Sequence, residues 1–344
     1  MLPRMKPANS IIKKPIKAIW RTLLPHVRHL GLAMVARRKI VKKVTGFNIN
    51  PYPFRIRELL DSILPSGITG QECSEIEVVI PSTAKDAPLL NLAISAVRQN
   101  TLNPIGKISI ICPAKDVADI KAMNLHEVDV LNEEDVLGKQ LIKACDEVAP
   151  DNSKGWVRQQ AIKYASVLHS SYLGVLILDS DTILLKPQTW LFSRGRQSLA
   201  ISYEYHPPYQ IHFEKFLDSK HSPLFPRSEA RLRVSFVTHH QLMQPSVLRK
   251  FLSDDVQSSP EVGLVNWVKQ FDFVNSSPAC EYHCYGTFIT SFFPERVEYI
   301  QWANRAVSRK EITSRFGIET RQISLRELRS AYPYQNSVSL HAYL

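Results

Sequence analysis

The run Val175-Leu176-Ile177-Leu178 leads straight into Asp179-Ser180-Asp181. Four consecutive apolar residues of this kind make a strand buried on both faces. This strand then delivers two carboxylates two residues apart. Like charges so close repel, and taking either out of water is costly. A divalent cation removes both penalties. Mg2+ or Mn2+ is held by one or two carboxylates and keeps the rest of its shell for water and phosphate oxygens. The segment therefore predicts a sheet that presents Asp179 and Asp181 at its end as metal ligands. The bland alternative is a solvated strand-to-turn junction with two Asp caps.

The residues before it alternate between strand and helix. Residues 76–80 (IEVVI) form a β-branched run ending in Pro81-Ser82-Thr83. A helix is expected next, capped by Asp86, with Pro88 in its first turn and Leu89, Ala93, Ala96 and Val97 at helical spacing. Residues 108–112 and 128–131 read as further strands, and 138–148 as a helix. Across 156–169, Val157, Ala161, Tyr164, Ala165 and Leu168 make one apolar stripe. This order means an α/β fold with a parallel or mixed sheet. Ligands in such sheets bind beyond the carboxyl ends of the strands. Those ends are 81–83, 113–116 and 179–181.

The second half is harder to read. Residues 199–203 and 234–238 look like strands. Between them, 207–226 is polar and Pro-rich, with His206 just before it and His212 and His221 inside it, and is expected to be a loop covering an acceptor. His239 and His240 follow. Neighbours on a strand point to opposite faces, so at most one meets the cleft, and His240 is taken as that one and as a candidate catalytic base.

Charge divides the chain. The formal net charge is +11, yet residues 1–57 contain 14 Lys/Arg and no Asp or Glu. The other 287 residues hold 29 basic and 32 acidic side chains, a net of −3. A nearly neutral body argues against a nucleic-acid-binding core. Residues 8–45 interleave Ile, Leu and Trp with Lys and Arg, which points to adsorption on an anionic membrane face. No apolar run approaches the roughly 18 residues that span a bilayer, and no secretory signal is evident. The expected location is cytoplasmic, with peripheral attachment to the inner face of the membrane.

Twelve glycines, none spaced G-x-G, exclude the dinucleotide fingerprint and the P-loop. Five scattered cysteines do not form a disulfide framework. Cys280, His283 and Cys284 offer three zinc ligands and no partner pair, so reduced thiols are expected there.

The segments IEVVIPST, ISIICPAKD, GWVRQQAIKYA and LILDSDTILL together resemble the nucleotide-sugar-binding half of the GT-A glycosyltransferases. RVSFVTHHQLM and CEYHCYGTFI also resemble a bacterial family of uncharacterised GT-A-like proteins. The resemblance implies a metal-dependent transferase with a mixed, mainly parallel sheet flanked by helices. The donor would be a nucleotide-diphosphate sugar, UDP-linked in the first instance, and the acceptor a glycan or glycolipid. It divides the chain into a basic extension (1–57), a catalytic domain (58–300, donor half 75–190, acceptor half 191–300) and a C-terminal segment (301–344) that packs on or closes the site. It implies Mn2+ or Mg2+ on Asp179 and Asp181, completed by a late histidine, His341. Ser82, Thr83, Asp86, Lys115, Gln159, Lys163 and Ser180 would line the donor site. Glu281, in the E-Y-x-x-Y-G pattern, would be the catalytic base beside His240 as the other candidate. Two alternatives remain open. One is a non-catalytic binding or scaffold protein of the same fold. The other is a sugar-phosphate nucleotidyltransferase, disfavoured because PSTAKDAP lacks the glycine-rich loop of that class.

Overall fold

The computed structural model describes residues 73–202, 206–218, 235–253, 259–274, 277–317, 319 and 322–342. The basic segment 1–57 and the membrane role expected of it lie outside the described residues.

Strand β1 (Ile76–Pro81) is buried along its whole length. It pairs in parallel with β2 (Ile105–Cys112) on one side and β4 (Val175–Leu178) on the other. β3 (Asp129–Asn132) extends the β2 edge in parallel, and β7 (His240–Met243) adds to β4 antiparallel, giving the order β3-β2-β1-β4-β7. Alternation along the strands sends Ile76, Val78 and Ile80 to one face, against Leu90, Ile94 and Val97 of helix α1 (Ala87–Asn100). Val79 and Ile177 go to the other face, against helix α4 (Lys154–His169). Each fully buried aliphatic side chain contributes about 1.5–3 kcal/mol, so a central strand apolar on both faces fixes the sheet. This is the expected mixed, mainly parallel sheet flanked by helices.

Helix α2 (Val117–Ala122) links β2 to β3. Helix α3 (Glu133–Val148) starts five residues earlier than its pattern predicted. The Asn132 side chain accepts the Glu134 N–H and caps it there, and Gly138, at φ +69°, kinks the helix instead of starting it.

Two expectations for the second half are corrected. Of the loop expected over 207–226, residues 207–218 are helix α5 (Pro207–Asp218), and 219–226 lie outside the described residues. Prolines in a first turn lose no hydrogen bond, and His212, Phe213, Phe216 and Leu217 fall on one buried face. The strand expected at 234–238 is a single bridge from Ser235 to Ser202, and pairing resumes only at His240. His239, at φ +62°, turns the chain out of extended geometry between them.

Helices α6 (Pro245–Leu252), α7 (Pro260–Lys269) and α8 (Glu281–Phe292) share the α4 core. β6 (Gln197–Ile201) pairs with β8 (Val297–Gln301) in parallel. The C-terminal residues contribute β9 (Asn304–Ser308), α9 (Arg309–Phe316), α10 (Leu325–Ala331) and β10 (Ser337–His341). β10 lies between β9 and β5 (Thr182–Leu184), so the chain end pairs with the strand that follows Asp181.

Candidate active site

The chain leaves β1 toward β2 on one side and returns to β4 on the other, so β1 and β4 flank the switch point of the sheet, the place where open α/β sheets bind ligands. Asp179 is the first residue past β4. Its N–H donates to the His239 carbonyl at 2.9 Å, which continues the β4–β7 ladder by one residue and sets His239 opposite Asp179. A turn closed by the Thr182 N–H on the Asp179 carbonyl (2.9 Å) carries Ser180 and Asp181. The β5–β10 ladder is likewise extended, by the Leu340 N–H on the Asp181 carbonyl (2.8 Å). That brings His341 against Asp181. Two imidazole–carboxylate pairs result. His239 Nδ1 lies 3.2 Å from Asp179 Oδ2, and His341 Nδ1 lies 2.9 Å from Asp181 Oδ2. The two imidazole rings are 5.3 Å apart.

Behind Asp179 stands a buried cation. Lys163, on α4 and only 2% exposed, donates to Asp179 Oδ1 and to Glu281 Oε1, each at 2.6 Å. Tyr282 donates its hydroxyl to the same Asp179 Oδ1 at 2.9 Å, and its ring lies 4.3 Å from the Lys163 ammonium. Burial opposes the Lys163 charge, but Asp179 and Glu281 outweigh it and raise the lysine pKa. Burial likewise works against ionised Asp179, yet Lys163 and His239 hold its carboxyl well below the usual range. Glu281, 1% exposed, is pushed up by burial, and Lys163 only partly offsets this. Each buried ion loses several kcal/mol of hydration, so the triad is explained by the geometry it imposes better than by stability. It fixes Oδ1 of Asp179 and leaves Oδ2 facing His239. Tyr164 donates to the Glu281 carbonyl at 2.8 Å and Gln160 accepts the Glu281 N–H at 3.3 Å, which clamps the start of α8 to α4.

The mouths of β1 and β2 form the other wall. Asp86 occupies the N-cap position of α1 but makes no side-chain cap bond. Its carboxylate instead pairs with the Arg309 guanidinium and accepts from Ser180 Oγ at 3.3 Å. Arg309 also donates to the Lys85 carbonyl (2.9 Å) and the Leu340 carbonyl (3.1 Å), which ties the approach to His341 to this wall. Ser82 is buried, its N–H extending the β1–β2 ladder onto the Ile111 carbonyl at 2.9 Å. Thr83 and Lys115 are exposed at the two strand mouths. Between them, buried Asp116 accepts the Ala84 N–H at 2.9 Å.

His240 requires a correction. It is 1% exposed, its Nδ1 bonds the Thr238 carbonyl at 2.7 Å, and its ring packs between Trp190 and Trp302. Burial lowers its pKa to about 3, so it stays neutral in the core. His239 is the neighbour that meets the carboxylates. Gln159 is half-buried and outside these contacts, and it is Gln160 that reaches Glu281. Cys280 and Cys284 are free and buried, and His283 bonds Gln210 at 3.0 Å. Among the described residues, no three His, Cys, Asp or Glu side chains are already gathered closely enough to hold a metal ion.

His239, Tyr282, Asp116 and Arg309 escaped the sequence reading. Tyr282 had a signal, its place beside Glu281. The other three depend on a left-handed residue and on long-range pairing, which leave no local pattern.

No helix among the described residues is long and apolar enough to cross a membrane. No curated protein matches the sequence. Solved structures similar to it include mouse xyloside xylosyltransferase 1 in its apo form, with TM-score 0.42 and 14% identity over 78% of this chain and 98% of that one. The galactosyltransferase LgtC in complex with donor and acceptor sugar analogues gives TM-score 0.39 and 14% identity over 78% and 87%. The mannosyltransferase Ktr4p from S. cerevisiae in complex with GDP gives 0.49 and 8% over 72% and 77%. Residues 74–312 match the model of a single family, so the chain belongs to DUF6492, a family of unknown function.

Proposed function

We infer that this protein is a glycosyltransferase that moves a sugar from a nucleotide diphosphate, a UDP-sugar in the first instance, to a glycan or glycolipid hydroxyl. The observation that carries the reading is the pair Asp179 and Asp181, released from a buried strand at the switch point with an imidazole beside each carboxylate. Carboxylate oxygens and imidazole nitrogen are the donor chemistry that Mn2+ takes, and Mg2+ takes the oxygens. Asp179 Oδ2, Asp181 and His341 would hold the ion, since Lys163 and Tyr282 already occupy Asp179 Oδ1. When bound, such an ion neutralises charge on the departing nucleoside diphosphate.

The chain's own groups supply the rest. Ser82, Thr83, Lys115 and Ser180 line the donor wall, and Asp86 and Arg309 fix its shape. Lys163 orients Asp179 and holds Glu281 Oε1. Glu281 Oε2 accepts no hydrogen bond among the described residues. Its carboxyl, with pKa raised by burial, is the group assigned to take the acceptor proton.

The test is thermal. A UDP-sugar should raise the melting temperature only when Mn2+ is present, and Asp181→Ala should abolish the rise. A panel of nucleotide sugars that gives no metal-dependent shift with the intact chain overturns the reading. The basic segment is assigned to membrane attachment. Deleting residues 1–57 should reduce co-sedimentation with anionic vesicles and leave donor binding intact, and unchanged sedimentation would refute that role.

A further inference from the structure

We propose that Arg309 is a positioning residue of the donor site, the closing member of a hydrogen-bonded ring that fixes the Ser180-Asp181 turn against the end of the chain. Its effect on donor binding rests on the transferase reading above, whereas the ring can be tested without any ligand. The Leu340 N–H donates to the Asp181 carbonyl at 2.8 Å, and the Leu340 carbonyl accepts from Arg309 Nε at 3.1 Å. The Arg309 guanidinium pairs with Asp86 Oδ1, and Asp86 Oδ2 accepts from Ser180 Oγ at 3.3 Å. Ser180 is covalently joined to Asp181, so the circuit closes. A branch of the same guanidinium holds the Lys85 carbonyl at 2.9 Å.

Three features support this role. First, Asp86 stands at the N-cap of α1, where a carboxylate ordinarily accepts a helix N–H. It makes no such bond, and its two oxygens go to Arg309 and Ser180 instead. Second, Arg309 is anchored from behind. It is the first residue of α9, Ser308 caps that helix by accepting the Glu311 N–H at 3.0 Å, and buried Ile312 shares a core with Leu89 and Ala93 of α1. Third, the acceptors at Lys85, Asp86 and Leu340 belong to segments far apart in the chain. A planar guanidinium with its fork of N–H donors spans them, and a lysine ammonium, a compact point charge, does not. The turn is otherwise closed by the Thr182 N–H on the Asp179 carbonyl at 2.9 Å. The direction of Asp181, and with it the 2.9 Å contact to His341, therefore depends on Arg309.

The first arm of the test uses the full chain without ligand. In Arg309→Gln, amide hydrogen exchange at residues 339–341 should speed up at least about tenfold, because a charge-assisted bond at the strand end is lost. Protection of β1 and β4 and the melting temperature should stay close to the parent. The second arm titrates UDP in the presence of MnCl2. Arg309→Gln and Arg309→Lys should each bind about tenfold or more weakly. Asp86→Asn combined with Arg309→Gln should be no worse than the weaker single variant, since both open the same ring. Lys310→Gln, at the exposed next position of α9, should match the parent in both arms. Unchanged exchange at 339–341, or protection lost throughout the chain, refutes the ring. Parent UDP affinity in Arg309→Gln refutes the positioning role and leaves the transferase reading standing. Parent affinity in Arg309→Lys means that charge alone suffices and overturns the role of the fork. If the intact chain binds no UDP, the positioning role and the UDP-sugar reading both fall.

Discussion

The two sides of the candidate site satisfy their polar groups differently. At the mouths of β1 and β2, Asp86 is shared by Arg309 and Ser180, Asp116 holds the Ala84 N–H, and Ser82 continues a ladder. On the α8 side, polar atoms are buried without partners among the described residues. They include Glu281 Oε2 and Thr287 Oγ1 on α8. Burying an unpaired polar group costs about 1–3 kcal/mol. Such a cost is tolerated where a ligand or a water supplies the missing bond. The contrast teaches that the Asp86 side satisfies its polar groups internally, whereas the Glu281 side keeps a buried carboxylate oxygen with no hydrogen bond among the described residues. Lys163 joins Asp179, at the end of β4, to Glu281 on α8.

The largest effect should come from removing that joint. Lys163→Met leaves Asp179 and Glu281 as uncompensated buried charges and should lower stability by about 3–5 kcal/mol. Chemical denaturation measures this, and adding Glu281→Gln should restore part of the loss. An unchanged midpoint would mean that the Lys163 ion pairs do not couple β4 to α8.

A smaller effect, tied to pH, is expected at His212 on α5. Its ring packs against Trp267 and Phe271, and burial lowers its pKa from 6.5 to about 4. A depressed histidine contributes stability that is fully present above pH 6.5 and is lost as pH falls through 4. The loss amounts to roughly 3 kcal/mol by the usual conversion of about 1.4 kcal/mol per pH unit. His212→Phe should flatten the decline of melting temperature between pH 6.5 and 4 and change little at pH 8. An identical acid profile would remove His212 from the account.

The smallest effect belongs to His240. Its neutral ring between Trp190 and Trp302 serves packing. His240→Phe should leave any metal-dependent response to a UDP-sugar within about twofold, and cost about 1–3 kcal/mol of stability because the buried Thr238 carbonyl loses its partner. A loss of activity comparable to that of Asp181→Ala would return His240 to the chemistry.

The half up to residue 190 was legible because its elements carry their own patterns. β4 was expected over the residues it occupies, and α1 and α4 followed their apolar stripes. The half after it was not. Residues 207–218 read as a loop because prolines and polar side chains masked a buried face of four residues. The strand near 234–238 was displaced because one backbone angle at His239 decides where pairing resumes.

The site divides in the same way. Sequence alone determined that two carboxylates stand at the end of a buried strand, since apolar periodicity and charge repulsion are local facts of composition. It chose His240 where the structure sets His239, because one-residue alternation fails when the backbone enters the left-handed region. It could not bring His341 to Asp181 or Arg309 to Asp86, across 160 and 223 positions. Those contacts are set by strand register and by the packing of β10 between β5 and β9, and register is a property of the assembled sheet.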